Sequence, residues 1–158
     1  MLSTPNAGWT HFKLKNESYS LSYLTPVPFE WLNQAIHGLE TMLPFTVHGF
    51  SEPGRMLCTV SYWNCYIISS DDEVYEAEDV RTEFINMNMI EFCESLYHDI
   101  SEDLDAWCKW FIDCEAETEE EAQAFYAEIK VQLEDLLSKL AEHITEKKQM
   151  FEGGFMFF

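Results

Sequence analysis

The chain has 158 residues and a formal net charge of −20, yet 47% of its residues are hydrophobic and 15% are aromatic. Acidic disordered segments are poor in aromatic residues, so this composition excludes that class and indicates a folded domain. No run approaches the ~18 apolar residues that a membrane-spanning helix needs.

The first half of the chain is predicted to form strands around one helix. Residues 19–23 alternate serine with large apolar residues, which is typical of a strand with one buried face, and residues 11–15 could pair with it. Residues 28–42 have apolar side chains at three-and-four spacing, with Pro28 in the first turn, which predicts an amphipathic helix.

A strand is expected over residues 45–50, followed by a turn at 52–55. Residues 56–69 predict two strands, or one strand bent near Trp63 and Asn64. Val74 and Tyr75 could add a short edge strand.

The second half is predicted to be helical. One apolar stripe predicts a helix over about residues 80–99, and Ser101 is a candidate N-cap for the next helix. Thr118 and Glu121 have the spacing of a capping box, and the long helix behind them could reach Lys147.

The predicted architecture is α+β: a small antiparallel sheet with one helix, followed by a three-helix unit with a long C-terminal helix. A single domain is expected over residues 1–158. Residues 1–79 would supply mainly strands plus one helix, 80–150 the helical part and 151–158 an apolar tail.

The negative charge is concentrated in one third of the chain. Residues 71–121 contain nineteen acidic residues against only Arg81 and Lys109, a net charge of −17. Carboxylates three or four apart on a helix lie ~5–6 Å apart at Cβ, comparable with the spacing of phosphates along DNA. Helix capping explains some of these acids, but not those at 71–79 and 113–117.

These observations define a candidate surface for a basic protein partner, with Trp110 as an exposed aromatic contact. The predicted partner-binding residues are Asp71, Asp72, Glu73, Glu76, Glu78, Asp79, Asp113, Glu115, Glu117, Trp110, Phe157 and Phe158.

Motifs for catalysis or metal binding are lacking. Asp99, Ser101, Asp103 and Asp105 imitate the start of a calcium loop, but Leu104 and Trp110 stand where that loop needs glycine and glutamate. There is no HExxH, no paired Cys/His spacing and no GxSxG. We therefore expect neither an enzyme nor a cofactor.

Five cysteines without CxxC spacing indicate free thiols in a reducing compartment. The first residues lack a basic region followed by an apolar stretch, so no signal peptide is expected. The expected location is the cytoplasm.

Residues 155–158 are all large and apolar and follow Gly153 and Gly154. They either pack on the chain's own sheet or on a second copy, which allows a homodimer, or they anchor in a partner's pocket. The first alternative is preferred.

The leading functional hypothesis is a small cytoplasmic inhibitor that blocks the groove of a basic nucleic-acid-handling protein. In size, charge and compactness, without a motif match, the chain resembles the DNA-mimic antagonists of restriction or CRISPR systems that phages and plasmids carry. Its charge should repel nucleic acid itself. The alternatives are an immunity protein against a basic nuclease toxin, and a regulator of another machine such as an ATP-dependent protease.

Overall fold

Six strands and four helices make up the described residues of the computed structural model, which are 1–71, 80–110 and 116–152. The strands are β1 (Trp9–Leu14), β2 (Glu17–Ser22), β3 (Phe45–Phe50), β4 (Arg55–Val60), β5 (Cys65–Ser70) and β6 (Arg81–Ile85). The helices are α1 (Val27–Thr41), α2 (Met89–Glu102), α3 (Leu104–Cys108) and α4 (Glu119–Glu152). The predicted α+β class and long C-terminal helix are confirmed, although the strands form two sheets.

The smaller sheet is the antiparallel hairpin β1–β2, as the sequence pattern predicted. Leu14 lies opposite Glu17, and Lys15 in the turn between them has a φ of 52°. Phe12 and Leu21 point into the core, where Phe12 meets the Trp31 ring of α1 edge-on at 5.0 Å between centroids. The hairpin therefore covers one side of the core.

The larger sheet is antiparallel, with strand order β3-β4-β5-β6. The turn predicted at residues 52–55 joins β3 to β4 and contains a cis peptide bond before Pro53. A second turn, in which Ser61 N–H donates to the Asn64 carbonyl at 2.8 Å, separates β4 from β5. Residues 56–69 thus form two strands and not one bent strand.

The helix predicted from residue 80 was wrong in its first part. Residues 81–85 form the edge strand β6, in which Ile85 lies opposite Cys65 of β5. The helix begins at Met89 because Asn88 caps it: the Asn88 side chain accepts from Glu91 N–H, and the Glu91 carboxylate accepts from Asn88 N–H, both at 2.9 Å. Val74 and Tyr75 lie outside the described residues.

The N-cap predicted at Ser101 was also wrong, because α2 continues through it to Glu102. The Ser101 hydroxyl instead donates to the carbonyl of His98 at 3.1 Å. At the start of α4 the predicted capping box is present, since the Thr118 hydroxyl accepts from Glu121 N–H at 3.2 Å and the Glu121 carboxylate accepts from Thr118 N–H. The helix ends at Glu152, beyond the predicted Lys147.

The core lies between the inner faces of the strands and the helices α1 and α2. Phe92 of α2 contacts both Trp31 and the Phe45 ring of β3, with centroids 6.4 and 5.9 Å away. A Cβ on Gly38 of α1 would lie 2.2 Å from the Phe45 ring, so this glycine permits the close approach of α1 to β3. Helix α4 packs across α1, α2 and α3.

Four of the five cysteines are described, and all four are buried and free. A hydrogen bond between Cys58 and Cys65, followed by burial, raises the pKa of the Cys58 thiol. Burial raises the pKa of Cys93 and brings that of Cys108 to about 11. Within the described ranges, none of the helices combines the length and apolarity needed to cross a membrane.

Candidate partner-binding surface

Two predicted acidic site residues lie in the described part of the chain. Asp71 directly follows β5, is 84% exposed and forms an ion pair with Arg81. Glu117 is exposed in the turn before α4, and its backbone N–H donates to the Glu121 carboxylate at 3.1 Å. The remaining predicted site residues, apart from Trp110, lie outside the described residues: Asp72, Glu73, Glu76, Glu78, Asp79, Asp113, Glu115, Phe157 and Phe158.

Trp110 does not have the exposed position that the sequence analysis predicted. Its side chain is only 3% exposed, and its ring lies 5.3 Å from that of Trp107. The indole N–H donates to the Thr25 carbonyl at 3.2 Å, a contact that holds the end of α3 against the start of α1. Trp110 is therefore part of the core and cannot supply an apolar contact to a partner.

The contacts of Trp110 connect it to the strand ends beside Asp71, so the residues that precede 72–79 and 111–115 belong to one region of the fold. Thr25 accepts from Trp110, and its hydroxyl accepts from Phe50 N–H at 3.2 Å. Phe50 lies opposite Arg55, which lies opposite Ser70. Neighbouring strands are ~4.8 Å apart, so Phe50 and Ser70 are separated by roughly 10 Å. We call this region, made up of Thr25, Phe50–Arg55, Ser70–Asp71 and Trp110, the acidic end.

Gly54 fixes the geometry of the acidic end. A Cβ added to this residue would lie 2.3 Å from the Ser70 carbonyl oxygen and 2.9 Å from Cα of Asp71. The turn between β3 and β4 therefore packs directly on the backbone from which the first acidic segment starts. Only glycine allows this approach without a backbone shift.

The described acids of the 71–121 tract face water. None of the twelve is buried, and nine are exposed: Asp71, Glu83, Glu91, Glu102, Asp105, Glu117, Glu119, Glu120 and Glu121. The tract's two basic residues are already bound, Arg81 to Asp71 and Lys109 to Asp105 at 2.7 Å. The remaining charge is therefore uncompensated by bases from the tract itself.

Several of these acids also have a structural role. Asp99 accepts from Leu2 N–H at 2.7 Å and pairs with the ammonium group of Met1 at 3.1 Å. Asp103 accepts from the hydroxyl of Thr4. These contacts join the first residues of the chain to the end of α2.

Asp105 joins α3 to α4. It accepts from Lys109 at 2.7 Å and from the Tyr126 hydroxyl at 2.6 Å. The hydrogen bonds from Lys109 and Tyr126 lower the pKa of Asp105, and the bond to Asp105 raises the pKa of Tyr126 to about 12. This carboxylate is therefore engaged within the fold.

The outer face of the larger sheet carries exposed apolar side chains that were not predicted from the sequence. Leu57 lies opposite Ile68, and Tyr66 lies opposite Phe84. Leu57 and Tyr66 are exposed, Ile68 is half-buried and Phe84 is 60% exposed, while their strand neighbours Met56, Cys58, Cys65 and Ile67 fill the core. The alternation within β4 and β5 signalled two-sided strands, but both faces carry apolar side chains.

A groove of about 520 Å³ lies at the other end of the molecule. Its apolar lining includes Met42, Tyr62, Trp63, Ile90 and Phe151. Trp63 is 74% exposed, and the Tyr62 and Phe151 rings meet at 5.5 Å. Phe151 belongs to the last turn of α4, so the end of this helix forms one wall of the groove.

Within residues 1–71, 80–110 and 116–152, no three His, Cys, Asp or Glu side chains are arranged to hold a metal ion. Comparison of the chain with protein-family models, with curated proteins and with solved structures finds no match.

Proposed function

We propose that this protein is a small acidic antagonist that binds a basic, nucleic-acid-handling protein and blocks its nucleic-acid-binding groove. The observation that carries the proposal is the acidic end, where Thr25 connects Trp110 to the strand ends beside Asp71. Asp71 begins the acids at 71–79 that capping does not explain, and Trp110 precedes those at 113–117.

The contacts of Thr25 support a single electrostatic site. Thr25 binds both Trp110 and Phe50, and Phe50 lies roughly 10 Å from Ser70, which is about one Debye length at 0.1 M salt. The acidic residues that follow Asp71 and Trp110 in the sequence should therefore act jointly on a basic groove. Such binding should be fast and should weaken steeply as salt is added.

The exposure of the described acids also supports the proposal. Asp71 and Asp105 hold Arg81 and Lys109, so the exposed carboxylates that form no ion pair or hydrogen bond within the described residues, such as Glu83, Glu119 and Glu120, are available to a partner's Lys and Arg side chains. The backbone of these residues is already fixed by helices and strand ends, so binding costs little more than the rotamer freedom of their side chains.

The test compares two sets of acid-to-amide substitutions that each raise the net charge by six. The test set is Asp71→Asn, Asp72→Asn, Glu73→Gln, Asp113→Asn, Glu115→Gln and Glu117→Gln. The control set, on exposed positions of α4, is Glu128→Gln, Glu134→Gln, Asp135→Asn, Glu142→Gln, Glu146→Gln and Glu152→Gln.

Each protein is immobilised and used to capture proteins from a host lysate at low and high salt. Captured proteins are then purified, and displacement of duplex DNA from them is measured. We expect the original chain to displace DNA at low salt, the test set to lose most of this activity and the control set to lose little. Equal losses in both sets, or an affinity that does not change with salt, would contradict a localised electrostatic site.

A further inference from the structure

The outer face of the larger sheet is an apolar surface that nothing in the described part of the chain covers. Its exposed members, Leu57, Tyr66 and Phe84, come from three neighbouring strands, and Ile68 lies between them. Isolated exposed apolar residues are ordinary, but a contiguous patch marks a contact surface. We call these four residues the apolar face.

We propose that the apolar face is the docking surface for the same basic partner, and that it receives an apolar segment flanked by Lys or Arg residues. This inference rests on the proposed function, because residues 71–121, with a net charge of −17, favour such a segment. The apolar face and the acidic end are continuous, since Ser70 and Arg55 end the same strands that carry Ile68 and Leu57.

The size of the patch explains why both surfaces must act together. The apolar face crosses three strands, about 10 Å, and three residues along a strand, about 7 Å. The area between these positions, roughly 70 Å², is far below the ~800 Å² that each partner buries in a stable interface. A partner whose apolar segment binds this face must therefore make further contacts outside the face. The acidic end, which lies next to the face, can supply them.

The charge of the chain argues against a second copy as the occupant. Two chains that each carry −20 repel one another, and the repulsion is strongest near the acidic end. Strand pairing at the sheet edge is also opposed, because β6 is short and carries Arg81 and Glu83. A partner of opposite charge gains from the same field.

The test uses three defined peptide probes and the full chain. Lysine alternates with leucine in the first probe and with serine in the second, and glutamate alternates with leucine in the third. Binding is measured by fluorescence anisotropy at low salt. We expect the Lys/Leu probe to bind at least about tenfold more tightly than the Lys/Ser probe, since each buried leucine adds to the affinity.

Variants then locate the binding surface. Leu57→Ser, Tyr66→Ser and Phe84→Ser should each reduce the preference for Lys/Leu over Lys/Ser. The matched control Val131→Ser replaces an exposed apolar residue of α4, which packs on helices, and should leave the preference unchanged. Thermal unfolding of each variant shows whether the fold is retained.

The outcomes separate the two proposals. Equal binding of both lysine probes overturns the apolar face and leaves the acidic antagonist intact. If neither lysine probe binds, both proposals are overturned. If the Glu/Leu probe binds as tightly as the Lys/Leu probe, the electrostatic selection is overturned. A large loss of thermal stability in all three face variants would mean that the chain itself covers this face. Concentration-dependent dimerisation through the face would identify a second copy as its occupant. Either result overturns the inference.

Discussion

Trp110 and Thr25 are 85 residues apart and are joined by one buried hydrogen bond, from the indole N–H to the Thr25 carbonyl at 3.2 Å. This bond connects the end of α3 with the segment that leads into α1. Through the Thr25 hydroxyl, it also reaches the last residue of β3. The relative placement of Trp110 and the end of β3 therefore depends on it.

Replacing Trp110 with phenylalanine should destabilise the fold. The substitution removes one of the two donors to the Thr25 carbonyl, which keeps only the Val27 N–H at 2.8 Å. The lost hydrogen bond costs about 0.5–1.5 kcal/mol, and part of a packed ring is lost as well. Urea unfolding followed by circular dichroism measures the loss. Trp63→Phe is the control, because that indole is mostly exposed and should change stability little; a similar loss in both variants would argue against a specific role for the Trp110 bond.

Gly54→Ala should destabilise the acidic end. The new methyl group would meet the Ser70 carbonyl oxygen at 2.3 Å. Because the methyl group is fixed to the backbone and the oxygen belongs to the backbone, the turn or β5 must move. Overpacking of this kind costs about 1–3 kcal/mol.

Glu52→Ala in the same turn is a suitable control for Gly54→Ala. Glu52 has a positive φ that alanine would also have to adopt, so the expected change in the free energy of unfolding is within about 0.5 kcal/mol. Thermal unfolding of both variants checks the prediction. A Gly54→Ala variant as stable as the original chain would show that the turn can shift without cost.

The contact between Asp105 and Tyr126 should be visible in a pH titration. Because the pKa of Tyr126 is raised to about 12, the contact contributes its full stabilisation below pH 10 and loses it as the pH rises towards 12. Because the pKa of Asp105 is lowered, its contribution is present above the ordinary carboxyl pKa and is lost as the pH falls through the lowered value.

Absorbance of the tyrosinate form measures the effect on Tyr126. We expect one tyrosine to ionise near pH 12 in the original chain, and to ionise closer to pH 10 in Asp105→Asn, which lacks the negative charge. Glu120→Gln is the control, since it removes a nearby exposed carboxylate that does not contact Tyr126 in the described structure. A titration curve that is unchanged in Asp105→Asn would contradict the assignment.

Removal of residues 155–158 should lower the melting temperature. These four apolar residues come shortly after α4 in the sequence, and the end of α4 lines the groove that contains Trp63 and Phe151. Burial of one large apolar side chain there contributes about 1.5–3 kcal/mol, which corresponds to roughly 3–12 °C for a chain of this size.

Acrylamide quenching of tryptophan fluorescence is the second measurement on this truncated chain. Trp63 should become more accessible once the residues are removed, and the difference should vanish in a Trp63→Phe background. An unchanged melting temperature together with lost partner binding would instead indicate that residues 155–158 anchor in a partner.

Local sequence patterns predicted much of the fold. The serine alternation in β2, the apolar spacing in α1 and the capping box of α4 are all encoded within a few neighbouring residues. The edge strand β6 was not predicted, because five residues of mixed polarity become a strand only by pairing with β5. The cap at Asn88 shows in retrospect where the strand region ends and the helix begins.

The candidate site was less predictable than the fold. The concentration of acids was visible in the sequence, but the connection of Trp110 to β3 depends on the contacts of Thr25 with residues 25 and 85 positions away. Trp110 was predicted to be exposed as part of the acidic tract. Its burial follows from a partner that local spacing cannot reveal.

The burial of Cys58, Cys65, Cys93 and Cys108 gives the chain an internal reporter of its own folding. A thiol reagent reaches these sulfurs only when the core opens, and the raised pKa of Cys58 and Cys93 further suppresses the reactive thiolate in the folded state. In a Cys114→Ser background, the labelling rate at these four positions would therefore measure how often the core opens under native conditions, without denaturant and without an introduced cysteine.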